Sequence, residues 1–357
     1  GKTTVVRQLL GTDPETERFP STSAAKTTIA DLEMVLVEGT FRGVVSFAPR
    51  DQVRQYIMEC VIAAVTAHLE NSPPQEIARR FMEHNEQRFR LSYLLGSLSA
   101  SFATSDSDES LVDDDDQALL KEEDAEVTSD ERREFITRLQ EFLKKIDSLA
   151  DTSRDAIEKM ASDLGITNAS KQDRDILQEL VEEQLLTSED FHAVVDSVLD
   201  EVETRFDFVT EGEMRRSRDG WPSVWTYETG DRAPFIKAIN RFSSNYAPNF
   251  GRLLTPVVEG IRVSGPFAPS WDSSQIPKLV LMDAQGIGHT ADSTTSISTG
   301  ITRRFQIADA ILLVDNAAQP MQAAPVAVLS TLIASGHESK LIICFTHFDE
   351  VKGDNLV

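Results

Sequence analysis

Three short apolar runs near the C-terminal end set the strongest limit on the fold of this chain. Residues 278–282, 310–314 and 341–345 are almost continuously apolar, and the segments between them, 300–307 and 323–335, have a helical pattern. Continuous apolar strands that alternate with helices are typical of a parallel sheet covered on both faces. We therefore predict an α/β fold with a parallel sheet from residue 276 onwards.

The first part of the chain predicts two further strands, at residues 28–38 and 41–47, joined by a turn at Gly39-Thr40 into a hairpin. Helical periodicity follows, and the predicted helices cover residues 53–69, 76–98, 135–146, 176–186, 191–202 and 234–242. A few short strands are expected within residues 206–270. This pattern predicts an inserted, mainly helical domain.

One segment of this insert, residues 104–131, is rich in Ser, Asp and Glu and is predicted to be a disordered loop. The domain boundaries that we predict are therefore 1–47, 48–275 and 276–357. The first and last parts together form the α/β domain, and the middle part is the helical insert.

The overall charge argues against several classes of partner. The 357 residues include 35 Lys and Arg and 59 Asp and Glu, for a net charge of −24. Such a chain repels nucleic acid and anionic membranes, so no nucleic acid partner is expected. Cys60 and Cys344 both lie in apolar stretches, and two free thiols suit a reducing, cytoplasmic compartment. No run of transmembrane length and no signal peptide is evident. Membrane contact is left without a prediction.

The first four residues, Gly1-Lys2-Thr3-Thr4, match the second half of the phosphate-binding loop GxxxxGK[ST]. In that loop the backbone N–H groups surround the phosphates, the Lys contacts the β- and γ-phosphates, and the hydroxyl binds Mg²⁺. Residues 4–10 have the pattern of the helix that follows such a loop. A GK[ST] tripeptide is common by chance, so the motif needs other parts of a nucleotide site to support it.

Asp283-Ala284-Gln285-Gly286 directly follows the first apolar run. A carboxylate at the carboxyl end of a strand lies where open α/β sheets bind ligands, and it can hold Mg²⁺. Gly286 would let a backbone N–H approach a γ-phosphate closely. The alternative is an ordinary Asp in a strand-to-loop turn.

Thr346-His347-Phe348-Asp349 follows the last apolar run at the same predicted edge of the sheet. The carboxylate of Asp349 can accept two N–H bonds from the edge of guanine, which adenine presents differently. The alternative is that Asp349 caps a helix, since Asp is a preferred N-cap residue.

In this order, with the run Ala308-Asp309-Ala310-Ile311-Leu312-Leu313-Val314-Asp315 between them, the motifs resemble a P-loop GTPase of the TRAFAC class. The resemblance implies that Lys2 neutralises the β/γ-phosphates and that Gly1 and Thr4 complete the loop. It implies Thr3 and Asp283 as holders of Mg²⁺, Gly286 as an N–H donor to the γ-phosphate, and Thr346, His347 and Asp349 as binders of guanine.

The switch I segment of this class contains a T-I-x-D pattern, which Thr28-Ile29-Ala30-Asp31 resembles. Thr28 is therefore the candidate contact to the γ-phosphate and Mg²⁺, and Thr27 is the alternative. A Thr selected only for its β propensity would give the same sequence. In compact members of the class, the strand after switch I pairs with the strand that ends in DxxG.

The chain departs from the class pattern at three places. His347 replaces the Lys of [NT]KxD, and Ile287 follows Gly286 where small GTPases have a Gln that orients water. The insert of residues 48–275 is the largest departure. An apolar residue after DxxG and a large insertion are similar to dynamin-like GTPases. The resemblance also implies that the strand before the phosphate loop and the last base-contacting loop lie outside the printed chain.

The resemblance thus implies a GTPase with GTP or GDP as ligand and Mg²⁺ as cofactor. Its nucleotide state would be coupled to the helical insert, which would contact a second copy or another protein; the alternative is that the insert is a plain helical bundle. Two alternatives stay open: a nucleotide-binding scaffold with little or no turnover, and an ATPase of related fold.

Overall fold

The fold is mixed α/β. The computed structural model describes residues 2–13, 17, 19–20, 31–83, 89–98, 127–163, 171–271, 275–283, 299–348 and 351. The helices of these residues are α1 (Lys2–Leu10), α2 (Arg50–Leu69), α3 (Pro74–Met82), α4 (Leu91–Leu95), α5 (Ser129–Asp163), α6 (Lys171–Leu186), α7 (Glu189–Thr204), α8 (Arg232–Ser243), α9 (Thr299–Ile307) and α10 (Ala323–Ala334).

The strands are β1 (Asp31–Leu36), β2 (Phe41–Phe47), β3 (Glu213–Arg216), β4 (Pro222–Thr229), β5 (Val258–Gly265), β6 (Leu279–Asp283), β7 (Ile311–Asn316) and β8 (Leu341–Thr346). Most of these elements lie within a few residues of their predicted positions. The predicted helix over residues 76–98 is wrong in extent, because α3 ends at Met82 and α4 covers only Leu91–Leu95.

The larger sheet has six strands in the order β3-β4-β2-β5-β1-β6, and it is mostly antiparallel. Only β1 and β5 run parallel to each other. The predicted pairing of β1 and β2 as a hairpin is wrong, since β5 lies between them. Residues 37–40 must then cross two inter-strand spacings, about 10 Å, which four extended residues can span.

The second sheet contains β7 and β8, which run parallel with Ile311 opposite Leu341. The expectation of one parallel sheet from residue 276 onwards is therefore only partly met. β6 belongs to the larger sheet and runs antiparallel to β1, with Leu32 opposite Asp283. An apolar run predicts a buried strand but carries no information about the direction of its neighbour, which explains the difference.

Among the described residues, two separate groups of buried side chains support these sheets. The larger group includes α2, which is buried on most of its surface, and the aromatic residues Trp225, Phe235 and Phe242, which are fully buried against the larger sheet. The smaller group is formed by Phe305, Val328 and Leu332, with Ile311 and Leu313 of β7 packed on them. We call the described part of residues 2–283 the large region and residues 299–348 the small region.

Alternation along β2 explains how the large region buries the sheet. Phe41, Val45 and Phe47 are buried while Arg42 between them is exposed, as expected for a strand with one face on the core. Gly43 on the buried face leaves room for the indole of Trp225, because an added Cβ would lie 3.2 Å from that ring.

The acidic segment ends at a defined helix start. Residues 99–126 lie outside the described residues, whereas α5 begins at Ser129, inside the range 104–131 that was predicted to be disordered. The hydroxyl of Thr128 accepts a bond from the N–H of Glu131 at 3.3 Å, and the Glu131 carboxylate accepts from the N–H of Thr128 at 2.9 Å. This capping box fixes the start of α5.

The lengths and compositions of the helices also bear on membrane insertion. Within the described ranges, no helix is both long enough and apolar enough to cross a bilayer.

Candidate functional site

The structure brings two of the predicted site residues into contact. Lys2 is the first residue of α1, and Asp283 is the last residue of β6. The Lys2 ammonium Nζ lies 2.6 Å from the Asp283 carboxylate Oδ1. The two residues are 281 positions apart in the sequence, so the fold and not local chain connectivity joins them.

Burial makes this ion pair asymmetric. The side chain of Asp283 is 7% exposed, and that of Lys2 is 43% exposed. A buried carboxylate is stable when a cation or several N–H donors partner it. Lys2 supplies that charge from the solvent side, and the same ammonium can turn toward an anionic ligand without leaving water.

Strand pairing positions the carboxylate. β6 runs along β1 with a continuous register from Leu32 opposite Asp283 to Leu36 opposite Leu279. Leu32, Met34 and Leu36 of β1 are buried in the core of the large region. Asp283 is therefore placed by backbone hydrogen bonds to a well-packed strand, at the point where β6 ends.

Helix α1 positions Lys2 and Thr3 from its N-terminal end. Leu10 at the other end of the helix is fully buried, and Val6 packs against the same core. Thr3 is half-buried and Thr4 is exposed, both in the first turn. Backbone N–H groups of a first helical turn lack partners within the helix, and this end of a helix favours anions.

Asp283 and Thr3 carry oxygen atoms of the kind that bind a magnesium ion. Mg²⁺ is usually held by one or two protein oxygens, with water and phosphate oxygens completing six ligands. Asp283 offers a buried carboxylate and Thr3 offers a hydroxyl on the adjacent helix. No group of three or more metal-binding side chains occurs among the described residues, which this mode of binding does not require.

Thr346 and His347 lie in the small region, at the carboxyl end of β8. The Thr346 hydroxyl donates to the carbonyl oxygen of Asp315 at 3.2 Å, and the N–H of Ala317 donates to the Thr346 carbonyl at 2.8 Å. These bonds connect the ends of β7 and β8. His347 has a φ of 60°, the left-handed conformation, which turns the chain sharply after the strand.

Asp315 shapes the neighbouring loop and was not singled out as a site residue from the sequence. Its carboxylate is buried and accepts from the N–H of Asn316 at 2.9 Å and of Met321 at 2.7 Å. Both bonds are local, so Asp315 orders the loop between β7 and α10. Its place at the end of an apolar run was the only available signal.

The remaining predicted site residues, Gly1, Thr28, Gly286 and Asp349, lie outside the described residues. The structure thus unites Lys2 with Asp283, places Thr3 and Thr4 on the same helix end, and puts Thr346 and His347 at the end of a strand in the other sheet.

No protein-family model matches the chain, and no curated protein sequence is significantly similar to it.

Proposed function

We propose that this protein binds guanine nucleotide with Mg²⁺ and hydrolyses GTP, in a site to which α1 and the end of β6 contribute the phosphate-binding side chains. The observation that carries the proposal is the 2.6 Å contact between Lys2 and Asp283. Each residue belongs to a different phosphate-site motif, and each was selected from the sequence for its own reason. If the GKTT and DxxG sequences were both chance matches, we would not expect their Lys and Asp to lie in contact.

The pairing of strands supports a P-loop NTPase fold of the TRAFAC type. β1 begins at Asp31, the last residue of the T-I-x-D segment, and pairs with β6, which ends in the DxxG aspartate. This neighbour relation is the one that the resemblance implies for the switch I and DxxG strands. β7 and β8 run parallel, as strands of such a fold do. The dynamin-like assignment rests on Ile287 and on the insert.

The chemistry asks the side chains mainly for position and charge. Lys2 neutralises negative charge on the β- and γ-phosphates as the terminal phosphate leaves. Thr3 and Asp283 would hold the cation, and Mg²⁺ when bound would stabilise charge on the phosphate oxygens. Asp349 selects guanine, with Thr346 and His347 beside it. The helical insert senses the nucleotide state and contacts a second copy or another protein.

One observation favours a second candidate function, a nucleotide-binding scaffold with little turnover. Ile287 stands directly after Gly286, and an isoleucine cannot orient an attacking water by hydrogen bonding. Phosphate release that stays at background while nucleotide binds would favour the scaffold. Release that rises with protein concentration would favour a GTPase completed by a second copy.

Binding of a fluorescent GTP analogue to the full-length protein tests the proposal. Lys2→Ala should weaken binding by about 100-fold, since a charge-assisted contact to phosphate contributes about 1.5–3 kcal/mol. Lys278→Ala is the matched control, because Lys278 is an exposed lysine just before β6, at its opposite end from Asp283. Equal affinity of Lys2→Ala and the control would refute the phosphate role of Lys2.

Base selection separates guanine from adenine nucleotides. Unlabelled GTP should displace the analogue at much lower concentration than ATP, and Asp349→Asn should remove that preference. A wild-type protein that prefers ATP would instead identify the related ATPase.

A further inference from the structure

The C-terminal end of α1 is held by an arginine from a distant part of the chain. Arg232 is the first residue of α8, and its Nη2 donates to the carbonyl oxygens of Leu10 at 3.3 Å and Gly11 at 3.2 Å. The last carbonyls of a helix have no partner within it, and a cation there also interacts favourably with the helix dipole. Arg232 therefore caps α1 from outside.

The same guanidinium binds the loop that follows α1. Its Nε lies 2.6 Å from Glu17 Oε1, and its Nη2 lies 2.8 Å from Glu17 Oε2. Both side chains are largely removed from solvent, with 27% of Arg232 and 15% of Glu17 exposed. A two-point contact between a guanidinium and a carboxylate fixes geometry more firmly than a single contact does.

Helix α8 provides a firm base for this arginine. Phe235 is fully buried in α8, and its ring lies 5.5 Å from that of Phe41 in β2 and 6.4 Å from that of Phe267. The Arg232 guanidinium itself lies over the Phe267 ring, 5.3 Å from its centre. The arginine thus projects from a helix that is anchored in the core by aromatic packing.

Backbone contacts close the other side of the helix end. Gly11 has a φ of 62°, and an added Cβ there would lie 2.0 Å from the carbonyl oxygen of Ala268. The Thr12 hydroxyl donates to the carbonyl of Phe19 at 2.8 Å, and Arg7 Nε donates to the carbonyl of Pro20 at 2.9 Å. The end of α1 and its following loop are therefore one joined unit.

We propose that Arg232 is a positioning residue for the nucleotide site, because it fixes the end of α1 opposite to Lys2 and Thr3. The effect on nucleotide affinity rests on the proposed function, whereas the contacts of Arg232 with α1 do not. Arg232 lies in the predicted insert, residues 48–275, so it is a direct link between that insert and the phosphate-binding helix.

An arginine suits this position better than a lysine. The planar guanidinium reaches two carbonyls and a carboxylate at once, whereas an ammonium is a compact point charge. The nine residues of α1 span about 13 Å, so Arg232 acts on Lys2 through the helix and not by contact. A variant at this position should therefore change nucleotide affinity without removing any phosphate ligand.

The test combines amide hydrogen exchange without nucleotide and binding of a fluorescent GTP analogue, both on the full-length protein. Arg232→Gln should increase exchange in α1 about tenfold and weaken nucleotide binding about three- to tenfold. Arg232→Lys should recover part of both. Arg262→Gln is the matched control, since Arg262 forms an exposed ion pair with Glu33 at 2.8 Å.

Two further variants separate the carbonyl contacts from the ion pair. Glu17→Gln keeps the contacts to Leu10 and Gly11 and should show smaller effects in the same direction. The double variant Arg232→Glu, Glu17→Arg swaps the two charges and restores an ion pair. The carboxylate at position 232, however, cannot donate a hydrogen bond to the carbonyls of Leu10 and Gly11. The double variant should therefore protect residues 12–20 better than it protects α1.

The outcomes distinguish this inference from the proposed function. We call the contacts of Arg232 with Leu10, Gly11 and Glu17 the α1 clamp. If amide exchange in α1 is the same in Arg232→Gln as in wild type and Arg262→Gln, the clamp is refuted. Faster exchange with unaltered nucleotide affinity overturns its positioning role. Faster exchange in a protein whose wild type binds no nucleotide supports the clamp and refutes the proposed function instead.

Discussion

The large and small regions both contain strands that are apolar in sequence, but they bury those strands to different extents. In the large region Met34, Val45 and Trp225 are fully buried. In the small region Leu312 is 44% exposed and Ile342 is 54% exposed, on the face of the β7–β8 sheet opposite to Phe305 and Leu332. A parallel strand that is apolar on both faces is typical of a sheet covered on both faces.

This difference divides the candidate site. Lys2 and Asp283 rest on the large region, where β1 and α8 fix the surrounding backbone. Thr346 and His347 rest on the small region, whose buried side chains form a thin core. The proposed phosphate-binding part of the site should therefore survive perturbations that disturb the proposed base-binding part, and substitutions in each region should separate the two.

The largest expected effect follows from truncating one aromatic side chain in each core. Trp225→Ala should cost about 3–5 kcal/mol of unfolding free energy, and Phe305→Ala a similar or smaller amount. Because the two cores are separate, each variant should destabilise its own region alone. Amide hydrogen exchange at increasing denaturant concentration, resolved by segment, measures the stability of each region. A single shared transition that shifts in both variants would contradict the division.

Replacing an apolar strand residue by Thr in each region tests directly whether the two regions bury their strands differently. Val45→Thr places an unpartnered hydroxyl in the large core and should cost about 1–3 kcal/mol. Ile342→Thr changes an exposed face and should stay within about 0.5 kcal/mol. Urea unfolding of each variant gives the comparison. Equal costs would show that the outer face of β8 is covered in solution.

The two cysteines report on the regions without a stability change. Burial, with a smaller contribution from Glu59, raises the pKa of the Cys60 thiol to about 12. The thiol of Cys60 is then almost entirely protonated at pH 8, and the thiolate is the form that reacts. Cys344 is half-buried in β8. Iodoacetamide should label Cys344 first, and Cys60 only after the large region opens, as peptide mass spectrometry would reveal. Early labelling of Cys60 would contradict its burial.

The smallest effect concerns an ion pair on α3. A hydrogen bond from Arg79, helped by one from Arg80, lowers the pKa of Glu76 to about 2. A lowered folded-state pKa gives stability above the unfolded pKa, about 4.3, that is lost as pH falls toward 2. Glu76→Gln should cost about 0.3–0.5 kcal/mol at pH 7 in the large region. The unfolding free energies of the variant and of wild type should converge near pH 2. A difference that stays constant with pH would show that the charge of Glu76 is not its cause.

Much of the local structure follows from sequence pattern. The turn at Gly39-Thr40 and the segment after it predicted β2 with its observed bounds, and the apolar runs predicted the strands that end near Asp283, Asn316 and Thr346. These signals are local: period, propensity and the residue that follows a strand. The last of these signals selected Asp283, and the GK[ST] motif selected Lys2; the structure then brought the two residues into contact.

Long-range pairings could not be predicted in the same way. The position of β5 between β1 and β2 depends on which edge is available, and nothing within 258–265 specifies a neighbour. The contact of Arg232 with Glu17 joins residues far apart in sequence, and neither belongs to a recognisable motif. Charged residues of this kind are common on surfaces, so only the fold distinguishes a helix clamp from a solvated side chain.

The magnesium dependence of nucleotide binding tests the central claim most directly. Isothermal titration of wild type and Asp283→Asn with a non-hydrolysable GTP analogue, in Mg²⁺ and in EDTA, separates cation binding from phosphate binding. We predict that wild type binds at least about tenfold tighter in Mg²⁺ and that Asp283→Asn loses this difference. Tight wild-type binding that is equal in Mg²⁺ and EDTA, or a full Mg²⁺ effect in Asp283→Asn, would contradict a nucleotide site built on Lys2 and Asp283.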